Sequence, residues 1–380
     1  MRKTGDSAAA ESDAALWAKS FVTQLASTPR FAGSKAEQEA RELCADHLGK
    51  SGFKISVEEF SFSQVPARLG PFICGIVFAV GVFFSGHIAA AEKKPLLGIA
   101  VALGSAAIAA LCGFLLMRSI ATLPAWRLSS SNLIGVREGV SGEPKVWLVA
   151  HVDSKSQTLG MLARVGSLVA AGAMLALTIG AMALQSSRMS DELALMRSAY
   201  SAMFAALAIL PFTFCFITNK SRGALDNASG VAALLRAVDA LPRELNVGVL
   251  LSSAEELGLA GAQAFAASRT FRGIAVNCDT IDSAGRFICM TSGSRKAASS
   301  AMARAAGKTG QPLEIRGVIP GILTDSVALA RAGWDSCTLS RGNLRTLARV
   351  HTSGDEPGRI DGTGIALAAR ILAATVEELT

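Results

Sequence analysis

Several stretches of this 380-residue chain end in side chains that bind metal ions or move protons. The apolar run K-V-W-L-V-A leads directly into His151-Val152-Asp153, N-V-G-V-L-L-S-S-A leads into Glu255-Glu256, and G-I-A-V-N-C leads into Asp279. Asp226 stands in G-A-L-D-N-A-S-G-V just ahead of a helical stretch, and His351 lies in R-V-H-T toward the carboxyl end. Taken singly, each has an ordinary explanation: a helix start for the Glu pair, an N-cap for Asp226, a satisfied core histidine for His151, a turn acid for Asp279, a surface loop for His351. The recurrence at three or more strand ends is what those explanations leave out. Two imidazoles and three carboxylates suit one or two divalent cations of mixed nitrogen and oxygen preference, zinc first. The adjacent acids Glu255 and Glu256 repel and resist desolvation, so a positive group is expected beside them.

The elements that must position these residues read as an α/β pattern. Asn246 to Leu251 is a strand buried on both faces; it stops in the Glu pair, turns through Gly258 and enters a helix. That places the acids at the carboxyl edge of a sheet, where open α/β sheets bind ligands. Further strands are predicted at Lys54–Ser63, after Ser131 (N-L-I-G-V), at Lys145–Ala150, Gly273–Cys278, Arg286–Met290, near Leu313–Arg316 and at Ser336–Ser340. Helices are predicted at 13–26, at 35–50 with Ser34 as N-cap, and at Ala228–Ala240, Leu257–Ala267, Arg295–Ala306, Ser326–Ala332 and Gly364–Leu379. Such alternation predicts a mainly parallel, mixed sheet with helices on both faces.

Apolar residues make up 51% of the chain and charged residues 18%, a balance that points to membrane segments. Phe72–Ala91, Leu96–Met117, Val165–Leu184 and Tyr200–Thr218 are uncharged or nearly so, and they pair across E-K-K-P and the polar Gln185–Glu192. Pro211 is tolerable in a membrane helix. The expectation is four transmembrane helices inserted as two hairpins, 70–118 and 161–218, into an α/β domain formed by 1–69, 119–160 and 219–380. The bilayer is thus an expected partner; a transport path is not, because the spans lack paired charges and His87 stands alone. The net charge of +7 is scattered and aromatics are few, which excludes a nucleic-acid partner. Seven cysteines without a C-x-x-C pair indicate neither a cysteine zinc site nor a disulfide framework. The polar first residues lack the apolar stretch of a signal peptide. Arg68, Arg118, Arg127, Lys155, Arg164, Lys220 and Arg222 flank the spans on the domain side, against Lys93, Lys94, Arg188 and Arg197 with Glu92, Asp191 and Glu192 opposite. This bias places the domain and the N-terminus in the cytoplasm. Oligomeric state is left open.

In order, H-V-D-S, D-N-A-S-G-V, A-E-E-L-G-L-A-G, N-C-D and V-H-T resemble the motifs of metallopeptidase family 28, the co-catalytic zinc aminopeptidases related to glutamate carboxypeptidase and the transferrin receptor. T-P-R-F-A-G-S (Thr28 to Ser34) and D-H-L-G-K-S-G-F (Asp46 to Phe53) resemble its opening helices. The resemblance implies that Asp226 bridges two zinc ions, that His151 and Asp279 complete one ligand set, and that Glu256 and His351 complete the other. It makes Glu255 the general base and Asp153 the partner that orients His151. The implied activity is removal of residues from peptides near the bilayer. The alternatives are an inactive peptidase-like membrane scaffold and a single-zinc glutaminyl cyclase, against which the presence of both His151 and Asp279 speaks. Two departures stand out. Many family members use a tyrosine for the oxyanion, and Tyr200, the single tyrosine, begins a membrane span; the link between the histidine and bridging-aspartate motifs is expanded to hold Leu159–Thr218. Asp325, in L-T-D-S, resembles a further family acid and is equally explained as an N-cap.

Overall fold

Among the described residues an eight-stranded sheet forms, and its central strands are apolar runs because both of their faces find cover. The computed structural model describes residues 2–186, 192–318 and 322–380, with side chains from Glu11 onward. It divides into two units: Met1–Phe62, Arg127–Ser156 and Thr218–Thr380 form one, Ser63–Trp126 and Gln157–Ile217 the other. The strands are β1 (Phe53–Ser63), β2 (Arg127–Arg137), β3 (Val146–His151), β4 (Ser156–Gln157), β5 (Ile217–Thr218), β6 (Val247–Ser252), β7 (Ile274–Ile281), β8 (Arg286–Ser292), β9 (Leu313–Gly317) and β10 (Asp335–Gly342). The large sheet has the order β1-β2-β6-β3-β7-β10-β8-β9, and β4 pairs only with β5.

In β3 every residue is buried. Val146, Leu148 and Ala150 enter one core with Val22, Leu25, Leu234, Leu235, Ile371 and Leu372. Trp147 and Val149 enter the opposite core with Phe265, Leu329 and Trp334. Each large side chain so buried contributes about 1.5–3 kcal/mol relative to exposure. The two cores are roofed by helices Arg2–Leu25, Ser229–Ala240 and Thr363–Leu379 on one face and by Ala260–Ala267 and Asp325–Arg331 on the other.

The four central strands β6, β3, β7 and β10 are parallel. β2 runs antiparallel to β6 and β8 antiparallel to β10, so the sheet is mixed with a parallel centre. Register then positions chemistry: Val149 lies opposite both Leu250 and Asn277, and His151 lies opposite Ser252. Two residues beyond Asn277 comes Asp279, on the same edge as His151. β7 extends past the predicted end at Cys278, because β10 pairs with it as far as Arg341 opposite Ile281. Asp279 is therefore within a strand and not in the turn after it. The first helix begins at Arg2, well ahead of the predicted residue 13.

Gly248 lies opposite Trp147 in the β3–β6 register, and a Cβ there would stand 2.5 Å from the indole. Trp147 is 1% exposed and donates its Nε1 hydrogen to Pro144 O at 2.9 Å, so it has little room to yield. Gly248→Ala is expected to cost about 1–3 kcal/mol through overpacking, measured as a lower denaturation midpoint.

Among the described residues, the second unit contains four helical stretches long and apolar enough to cross a membrane: Val65–Ala90, Pro95–Arg118, Met161–Ser186 and Glu192–Thr213, of 26, 24, 26 and 22 residues. At 1.5 Å per residue each exceeds a bilayer core of about 30 Å. The fourth breaks after Ala208 and resumes at Leu210–Thr213, as Pro211 requires. Val82, Ala89, Met182, Ala202 and Ala205 pack together inside this unit. Glycine permits the close approach: a Cβ on Gly86 would meet Ala202 Cβ at 2.5 Å. Outward, Phe83, Phe84, Ile108, Leu111, Val169 and Leu177 are each more than half exposed. Of the polar link expected at Gln185–Glu192, residues 187–191, with Arg188 and Asp191, lie outside the described residues.

Candidate metal centre

The carboxyl edge of β3, β6 and β7 brings together His151 at the end of one strand, Asp279 near the end of another, and the loop after β6 that carries Glu255 and Glu256. Asp226 enters from a kinked turn, Ala224–Ala228, in which Asp226 and Asn227 are not helical, ahead of the Ser229–Ala240 helix. The Asp226–Asn227 peptide is cis. His351 follows the short Leu344–Arg349 helix, whose start is capped by the Asn343 side chain and whose Arg349 pairs with Asp282. All five predicted ligand residues are buried.

Among the described residues two groups of donor atoms result: His151, Asp226 and Asp279, and Asp226, Glu256 and His351, each with its atoms within 4.8 Å of one another. Asp226 belongs to both. Its Oδ1 is 3.1 Å from His151 Nε2 and its Oδ2 is 3.1 Å from His351 Nε2. His351 Nε2 also lies 2.9 Å from Glu256 Oε2. Glu255 is in neither group, yet its Oε2 is 3.9 Å from His151 Nε2. Asp153 does two things. Its backbone oxygen and its Oδ1 lie 3.1 and 3.4 Å from His151 Nδ1, and its carboxylate accepts hydrogen bonds from Glu255 N and Glu256 N, both at 3.2 Å. One side chain thereby ties the end of β3 to the Glu pair.

The electrostatics separate these acids. Burial opposes charge on Asp226, but hydrogen bonds from His151 and His351 hold its carboxyl well below the ordinary range. Burial pushes Glu255 well above its ordinary value, with His151 opposing and Asp279 and Glu256 adding to the rise. Asp279 is pushed up to about 7 by burial and by Asp226. Glu256 is drawn lower against burial by His351 and Lys155. Both imidazoles are raised despite burial, His151 chiefly by Glu255 and His351 chiefly by Glu256. Three buried carboxylates, Asp226, Glu256 and Asp279, and two imidazoles make up the donor set. Oxygen and nitrogen donors of this kind fit divalent cations, zinc among them.

Three contributors carry no local signature in the sequence. Lys155 supplies the positive charge beside the Glu pair, its Nζ 2.9 Å from Glu256 Oε2. Arg30, with no exposed surface, donates to Val152 O, Arg222 O and Gly223 O at 2.8, 2.6 and 3.0 Å, stapling the backbone after His151 to that before Asp226. Asp355 accepts from Leu225 N and Asp226 N at 2.6 and 3.2 Å. Arg30 lies in the T-P-R-F-A-G-S stretch, whose resemblance to the family's opening helices gave this side chain no role. Asp325 is not the helix cap: Thr324 holds that position, and the Asp325 carboxylate accepts a hydrogen bond from Ser252 Oγ at the end of β6. Burial pushes Asp325 up to about 6. Tyr200 lies in the Glu192–Ala208 helix of the second unit.

No curated protein matches the sequence. A family model described as Peptidase family M28 matches residues 207–376, a span that holds Asp226, Glu255, Glu256, Asp279 and His351 and begins after His151 and Asp153. Among solved structures, a zinc aminopeptidase from Bacillus subtilis is 16% identical with a TM-score of 0.56, over 96% of this chain and 95% of that one. An aminopeptidase from Aneurinibacillus sp. strain AM-1 is 16% identical with a TM-score of 0.56, over 95% and 93%. A glutaminyl cyclase from Fimbriiglobus ruber is 15% identical with a TM-score of 0.54, over 96% and 95%. The chain is thus similar in fold to zinc aminopeptidases and glutaminyl cyclases, and its residues 207–376 match the pattern of Peptidase family M28.

Proposed function

We propose that this protein is a multi-pass membrane exopeptidase of the aminopeptidase type that works with two zinc ions. The observation that carries the reading is Asp226, whose two oxygens each face a different imidazole and so make one carboxylate common to two donor groups. His151, Asp226 and Asp279 would hold one ion; Asp226, Glu256 and His351 the other. When bound, such a pair polarises the scissile carbonyl and makes water a nucleophile at neutral pH. Glu255 has the position of the base. Its Oε2 takes a proton from the attacking water and passes it to the leaving amine nitrogen. Asp153 holds the backbone of Glu255 and the ring of His151 in place for that transfer.

The second reading, glutaminyl cyclisation, is favoured by the likeness to the Fimbriiglobus ruber enzyme and opposed by the two complete donor groups. Metal analysis of the purified full-length protein, joined to a panel of peptides with free, blocked and glutaminyl amino ends, separates the two. About two zinc ions per chain and hydrolysis of free-ended peptides are expected. Pyroglutamyl products without hydrolysis would put the cyclase first; a metal-free, inert protein would leave the scaffold. Within this reading the two helix pairs cross the bilayer as hairpins with the α/β domain in the cytoplasm, which the excess of Arg and Lys on the domain side supports. A reporter fused in the loop at Lys93 and Lys94 is expected on the far side.

A further inference from the structure

We infer that Lys155 is a catalytic residue of this site, its ammonium binding the scissile carbonyl oxygen of the substrate and the oxyanion that develops from it. The inference rests on the peptidase reading above. Lysine is seldom buried unless paired, yet Lys155 is only 9% exposed. Its backbone N donates to Glu256 Oε1 at 3.2 Å, and its Nζ reaches Glu256 O at 2.8 Å and Glu256 Oε2 at 2.9 Å. Glu256 Oε2 is the atom that His351 Nε2 faces at 2.9 Å, so the ammonium stands at the rim of the second donor group. An ammonium has three N–H bonds. Among the described residues Glu256 engages two, which leaves one directed elsewhere.

Three other side-chain donors near the centre are engaged elsewhere. Thr280 Oγ1 donates to Asp279 Oδ1, Ser252 Oγ to Asp325, and Asn227 Nδ2 to Cys278 O. Glu255, the proposed base, stands beside His151, whereas Lys155 stands beside the carboxylate that faces His351. Peptide hydrolysis needs a base for the water and a separate donor for the oxyanion. As the water oxygen bonds to the carbonyl carbon, the carbonyl π electrons move onto its oxygen, where a fixed N–H donor is worth most. On collapse the C–N bond breaks and the nitrogen takes the proton held by Glu255. H-V-D-S-K thus delivers a ligand, a tie and a donor at alternate positions of one segment.

The test uses the full-length protein loaded with zinc, as wild type, Lys155→Met and Lys155→Arg. Metal content, kcat and KM on a free-ended peptide, and affinity for an aminoalkylphosphonate, a stable tetrahedral anion, are measured together. Lys155→Met is expected to keep its zinc, to lose about 100- to 1,000-fold in kcat with a smaller change in KM, and to lose phosphonate affinity in step; Lys155→Arg recovers part of both. Zinc lost in proportion to activity would reduce Lys155 to a support for Glu256 and overturn the inference. Unchanged phosphonate affinity in Lys155→Met would overturn it too, whatever the turnover. Should the wild type hydrolyse nothing while phosphonate affinity still depends on Lys155, the peptidase reading fails and the donor role stands.

Discussion

Replacing Glu255 by Gln is expected to lower kcat on peptide substrates by about 100- to 10,000-fold, with zinc content unchanged. The glutamate is 7% exposed and belongs to neither donor group, so the substitution keeps every ligand. Its backbone N–H is held by Asp153 Oδ1 at 3.2 Å, which keeps an amide of the same shape where the carboxylate was. What changes is proton capacity: Glu255 Oε2, 3.9 Å from His151 Nε2, accepts a proton and a carboxamide oxygen does not. Parallel metal analysis and steady-state kinetics decide the matter. Zinc lost together with activity would make Glu255 a ligand, and unimpaired turnover would remove it as the base.

The other large effect is expected at Asp226. Asp226→Ala should reduce the zinc content from about two ions per chain to near none and abolish turnover, because one substitution takes a donor from both groups. It also leaves His151 and His351 without the oxygens they face at 3.1 Å. His351→Ala removes a donor from only the second group and should leave one ion bound. Metal analysis of the two variants side by side checks this, with far-ultraviolet circular dichroism confirming the fold. A single ion retained in Asp226→Ala would refute the shared-ligand arrangement.

The parts of this protein that could be read along the chain are those with a local physical signature. Apolar helical stretches of 22 to 26 residues with one or two charges each announce themselves by composition, because a bilayer core tolerates little charge over that length. K-V-W-L-V-A and N-V-G-V-L-L announce strands covered on both faces, and a polar residue directly after such a run stands at a sheet edge. Where signals compete, structure chooses: the turn-acid explanation open to Asp279 when taken singly falls, because pairing with β10 draws it into β7. Of the two readings open to Asp325, a further family acid or a cap, the cap falls: Thr324 takes that role and the carboxylate accepts a hydrogen bond from Ser252.

By itself the sequence determined the residue types available for chemistry, their order along the chain, the strands that end in them and the four apolar helical stretches, since each follows from neighbours within a few residues. Tertiary structure alone decided which of them meet. The β3–β7 register set Asp279 near His151, Asp226 came to face both imidazoles, and Lys155 closed on Glu256, 101 residues further on. Arg30 joined backbone segments that the second helix pair separates in sequence. Such contacts arise because burial forces each charged or polar group to find a partner wherever the fold supplies one, and a chain read in order carries no record of that distance.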